Sequence, residues 1–160
     1  MIKLKKMLTE LGLPHDIDEP EASAKMNRIH RQSLDEFTTA YVVAALWSST
    51  TGEEPSGGEP LDKNYDINDI EGQTLKRMIE DCESFQVKAR DLYGQGGWSD
   101  AQAGHDFWLT RNGHGAGFWD RNWNEKSKEI GKHLTKIAKS YGAFDLYLGD
   151  GQYDGLVVGS

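Results

Sequence analysis

The chain has 160 residues, room for one ordinary domain and too few for two large ones. Hydrophobic residues make up 37%, and 5 Trp, 6 Tyr and 5 Phe exclude wholesale disorder. Against 18 basic side chains stand 26 acidic ones, a net charge of −8 that disfavours nucleic-acid binding through a broad basic surface, and the single cysteine, Cys82, excludes an internal disulfide or a Cys-x-x-Cys centre.

Taken in chain order, residues 2–13 read as a short helix with Ile2, Leu4, Leu8 and Leu11 partly on one side. No apolar run there is long enough for a signal segment, and nowhere does one approach a membrane span, so a soluble intracellular protein is expected. Residues 12–22 carry two prolines and four acids and read as a connector. A helix follows, starting at Ser33 with Glu36 as a capping box or earlier near Ala24, and running through Phe37, Tyr41 and Ala44 or Ala45 to about Ser48. The stretch 50–66 is an acidic Gly/Pro-rich loop. Seven acids against Lys63 alone, counted from Thr50 to Glu71, suit the attraction of a basic partner as well as solubility.

The strongest helical pattern is capped by Asn68 or Asp69, with Glu71 behind them. Its stripe of Leu75, Met78, Ile79, Cys82, Phe85, Ala89 and Leu92 runs to Gly94. Residues 94–104, with four glycines, read as a loop. Another helix spans about Asn124 to Tyr141, with Gly142 placed for a left-handed cap; residues 143–148 read as a strand and 156–158 as a short last one.

Between these lies Gly104–Arg121, GHDFWLTRNGHGAGFWDR. Asn112-Gly113 between two apolar runs predicts a two-residue hairpin turn. In that register Arg111 opposes His114, Phe107 opposes Phe118, Asp106 opposes Trp119 and His105 opposes Asp120. The expected architecture is therefore α+β: three main helices packed with a small antiparallel sheet built on this hairpin, in one compact domain over 1–160.

The hairpin would place His105 and Asp120 side by side, a carboxylate orienting an imidazole either for general-base chemistry or simply to close the hairpin. Arg111 and His114 at the tip complete a candidate catalytic set. Asp106, Trp108, Asn112 and Trp119 form a candidate binding set, the indoles offering ring faces for stacking and the tip offering donors to a phosphate or carboxylate. A metal centre is not expected, because His105 and His114 would lie at opposite ends of the hairpin and no ligand spacing is present. No cofactor is expected.

The same stretch, Ala103–Arg121, resembles a widespread family of uncharacterised proteins of tailed bacteriophages and prophages. Phe37–Ala45 with ALWSST, the segment Gly57–Asp66, Asp81–Phe85 and Leu146–Asp150 fit the likeness, which covers roughly residues 30–155. Where the family has glycine after Asp120-Arg121, this chain has Asn122-Trp123. The resemblance implies a small phage-encoded product in the cytoplasm of an infected bacterium and carries over no catalytic role. The expected function is a binding protein that modulates a host process through a protein partner. The alternatives are a phosphate-compound hydrolase or nuclease using the His/Asp/Arg hairpin, or a single-stranded nucleic acid binder. The oligomeric state is left open.

Overall fold

A computed structural model describes residues 34–52 and 57–160. The expected helix at 2–13, the connector at 12–22, the Ser33 cap, the earlier start near Ala24 and residues 53–56 of the acidic loop lie outside the described residues.

Among the described residues four helices of seven residues or more are present, not three: α1 (Glu36–Ser48), α2 (Gly72–Gly96), α3 (Asp100–Arg111) and α4 (Glu125–Lys139). Each begins where a short polar side chain satisfies free backbone donors. Asp35 accepts from the Thr38 amide at 2.8 Å, and Glu71 accepts from the Gln73 and Thr74 amides, both at 2.8 Å. Ser99 Oγ accepts from the Gln102 amide, while Asn124 and Ser127 form a reciprocal capping box. The expected stripe of α2 is buried in large part: Leu75, Met78, Cys82, Phe85 and Ala89 are each within 1% of full burial.

The expected hairpin at 105–120 does not exist. Its first arm is the second half of α3, and its second arm is an irregular segment ending in a 3-10 turn at Phe118–Asp120. Asn112-Gly113 is the end of a helix. Gly113 adopts φ +69°, the His114 amide donates to the Leu109 carbonyl at 3.0 Å and the Gly113 amide to the Thr110 carbonyl at 3.3 Å, a Schellman cap. The dipeptide supplies a left-handed residue, and a helix cap needs one as much as a hairpin turn does.

The sheet lies elsewhere. Strands β1 (Leu146–Leu148) and β2 (Val157–Gly159) pair antiparallel, with Leu146 opposite Gly159, Tyr147 opposite Val158 and Leu148 opposite Val157. The chain is thus α+β, with the tertiary core carried by helices and the hairpin pinned to the start of α2. The Glu71 amide donates to the Val157 carbonyl, the Gly159 amide to Thr74 Oγ1, and Arg77 to the Gly159 carbonyl. The ends of the acidic loop are held together by the Thr51 amide donating to the Glu59 carbonyl and the Leu61 amide to that of Ser49.

Aromatic rings form the centre. Phe85 stacks on Phe107 at 4.2 Å between centroids and on Phe118 at 5.6 Å, with Phe37 and Tyr41 closing the cluster from α1. Two glycines let backbones approach. A Cβ on Gly104 of α3 would sit 1.9 Å from the Phe37 carbonyl oxygen of α1, and one on Gly131 of α4 would sit 2.5 Å from that of Phe118.

Candidate functional site

The Schellman cap turns the chain so that His114, Gly115 and Ala116 come back along the side of α3, opposite the C-terminal turn of α1. Together with Trp47, Ser48 and Leu109 they line a shallow cleft of about 400 Å³. Trp47 is 56% exposed, and Val43, one turn before it on α1, is exposed too. The half-buried His105 stands beside the Trp47 ring at 6.5 Å between centroids, inclined by 31°. Of the expected catalytic residues, His105 therefore stands beside the Trp47 ring and His114 lines the same cleft as that ring. A helix and its cap bring them there in place of a strand pairing.

The floor is tied down by hydrogen bonds. The buried Trp108 indole N–H donates to Ser48 Oγ at 2.7 Å, and Ser48 Oγ donates in turn to the Ala44 carbonyl at 2.8 Å. The cleft's hydroxyl thus accepts from an indole and donates to a backbone oxygen, and no hydrogen bond among the described residues joins it to either imidazole.

The remaining expected site residues have other partners. Arg111, its side chain 2% exposed, donates to Asp81 Oδ2 at 2.7 Å, Tyr41 Oη at 2.9 Å, the Gly142 carbonyl at 2.8 Å and the Tyr141 carbonyl at 3.1 Å. It ties the end of α3 to α1, α2 and the segment after α4. Burial works against its charge, but the Tyr41 oxygen and the Asp81 carboxylate outweigh that and hold the guanidinium firmly protonated. Burial likewise pushes the Tyr41 phenol far up, so it serves as a neutral hydroxyl.

Asp106 is fully buried and accepts from Trp98 Nε1 at 2.9 Å, Gln102 Nε2 at 3.1 Å and the Arg121 fork at 3.0 and 2.7 Å. Four donors on one buried carboxylate make a closed network that locks the post-cap segment to α3 and to the end of α2. Asn112 donates from Nδ2 to the Trp108 carbonyl and accepts the Phe144 amide on Oδ1 at 2.8 Å. Trp119 and Asp120 are exposed on the 3-10 turn, and no hydrogen bond or ion pair among the described residues joins Asp120 to His105. The expected pairings of His105 with Asp120, Arg111 with His114 and Asp106 with Trp119 are absent because these side chains stand on a helix and a turn, not on facing strands.

Sequence reasoning missed Val43 and Trp47. The signal was present: they lie four apart, off the buried stripe of Phe37, Tyr41 and Ala44–Ala45, as a second apolar pair on the same helix. Among the described residues no group of three or more His, Cys, Asp or Glu is placed to hold a metal ion, and no helix is long and apolar enough to cross a membrane. Set against family models, curated proteins and solved structures, the chain matches none.

Proposed function

We propose that this is a small acidic binding protein that acts through a protein partner, and that the Trp47 cleft receives an aliphatic or aromatic side chain from that partner. The carrying observation is the half-exposed Trp47 indole beside an open cavity. Partly buried tryptophans flanked by polar groups are the side chains on which binding energy concentrates at interfaces. His105 stands beside the indole and His114 lines the cleft, both half-buried, so both imidazoles can hydrogen-bond a partner. The net charge of −8 favours a partner with a basic surface around the anchoring side chain. The likeness to phage products supports a host protein as that partner, met in the cytoplasm of an infected bacterium. The catalytic alternative needs its groups to converge. Arg111 and Asp106 are instead spent on buried ion pairs, and Ser48 on a backbone oxygen.

The test is photo-crosslinking in bacterial lysate from a benzoyl-phenylalanine at position 43, then titration of the purified captured protein. Trp47→Ala is expected to weaken binding about 30-fold, a loss of about 2 kcal/mol. Trp123→Ala, at an exposed indole elsewhere, is expected to leave it unchanged. Binding indifferent to Trp47→Ala would overturn the proposal.

A further inference from the structure

A second cavity, of about 250 Å³, lies where the β1–β2 hairpin meets the start of α2. Tyr147 of β1 and Tyr153 of the connecting turn, both exposed by nearly half, provide its aromatic walls. Glu71, Gln73, Arg77 and Asp150 provide its polar ones. The walls are preorganised. The connecting turn is closed by the Gly149 amide donating to the Leu156 carbonyl and the Tyr153 amide to that of Asp150. Glu71 is fixed as the cap of α2. Arg77 is fixed by its bond to the Gly159 carbonyl and by its position over the Phe144 ring, 5.5 Å from the centroid.

Several groups nonetheless remain free. Asp150, Gln73 and the two phenol hydroxyls have no protein partner among the described residues, and Arg77 uses one of its five N–H donors on Gly159. Carboxylate acceptors and guanidinium donors thus share one small space. A simple anion there faces Glu71 and Asp150; a simple cation faces Arg77. A pair of adjacent hydroxyls suits both, donating to Asp150 and accepting from Arg77, while the C–H face of the ring that bears them packs on tyrosine.

We infer that this cavity binds a neutral vicinal diol carried on a saccharide ring. The size suits a single ring, being slightly below that of drug-sized pockets. The site is separate from the Trp47 cleft and does not depend on it.

The full-length ¹⁵N-labelled protein is titrated with methyl α-D-mannopyranoside, methyl β-D-galactopyranoside and methyl β-D-glucopyranoside, with inorganic phosphate and choline as charged controls. At least one glycoside is expected to shift amides within 71–77 and 147–154 and few others. Asp150→Ala, which removes no internal hydrogen bond, and Tyr147→Ala on the strand's open side are each expected to weaken that binding about tenfold. Trp47→Ala is expected to leave it unchanged. Three results overturn the inference: no glycoside shifts these amides, phosphate or choline shifts them in place of the glycosides, or the shifts survive in Asp150→Ala.

Discussion

Replacing Gly104 by alanine tests the packing that positions both walls of the Trp47 cleft. The added Cβ would lie 1.9 Å from the Phe37 carbonyl oxygen and 2.8 Å from its carbon, and real Cβ atoms do not come within 3.0 Å of a neighbour. Both of these neighbours are backbone, so no side chain can swing away; α1 and α3 must part by about 1.1 Å or more at this point. Across that seam Phe37 and Tyr41 meet Phe107 and Trp108, with ring centroids 5.2–6.1 Å apart. Each buried ring is worth about 2–3 kcal/mol, and a gap of 0.5–1 Å forfeits a quarter to a half of a contact's attraction. The seam therefore loses about 4 kcal/mol. Alanine returns about 1 kcal/mol through its better helix propensity, leaving a net loss of about 3 kcal/mol. In a domain of this size that lowers Tm by about 10 °C. Gly94→Ala is the internal control: Gly94 lies in α2, exposed, with nothing within 4 Å of its would-be Cβ, so the same exchange is expected to stabilise by up to about 1 kcal/mol. Urea and thermal unfolding followed by circular dichroism read both. A Gly104→Ala protein as stable as the parent would refute the close α1–α3 approach, and with it the placement of His105 beside Trp47.

Arg111→Lys is expected to cost about 3 kcal/mol, because a single ammonium cannot reach Asp81, Tyr41 and two carbonyls at once; a change within 0.5 kcal/mol in urea unfolding would contradict the buried fork. At Asp35, burial raises the carboxyl's pKa, but hydrogen bonds from Thr38 and Gln86 and the charge of Arg90 outweigh it and hold the group below its ordinary value. Its folded pKa is thus below the unfolded value of about 3.9, so its stabilisation is complete above that pH and is lost as pH falls through the folded pKa. Asp35→Asn keeps a good cap and removes this dependence: the parent's advantage should shrink below about pH 4, and parallel stability curves across that range would count against it. Cys82 is fully buried and burial pushes its thiol pKa well up, so a thiol reagent is expected to label it only as fast as the protein unfolds. Rapid labelling of the native protein would show an open path to the α2 core.

Local chemistry was enough to find α2 and α4, but not the ends of α2: Glu71 caps it in place of Asn68 or Asp69, it runs past Gly94 to Gly96, and the expected loop at 94–104 holds the start of α3. α2 shows its apolar stripe at intervals of three and four, and α4 announces itself with Asn124 at one end and Gly142, at φ +76°, after the other. The strands near 146 and 157 were also written locally, although their pairing with each other was not. α3 was hidden for a physical reason. Ala103, Gly104 and every residue from Asp106 to Arg111 are buried, polar Asp106, Thr110 and Arg111 included, so apart from His105 no side of that stretch faces solvent and its sequence shows no helical period. An asparagine-glycine pair then closes it with a left-handed residue that two quite different structures require. Which of the two forms is decided by what surrounds α3. The Asp106 carboxylate finds three donors from outside α3, on Trp98 and Arg121, beside Gln102 within it, the Arg111 guanidinium finds acceptors on three segments, and Gly104 admits the backbone of α1. The partners of Arg111 and Gly104 lie 30 or more residues away in sequence, and only the assembled core brings them within reach. The cleft of Trp47 and its two histidines exists because of that assembly, since its walls come from segments that share no local pattern.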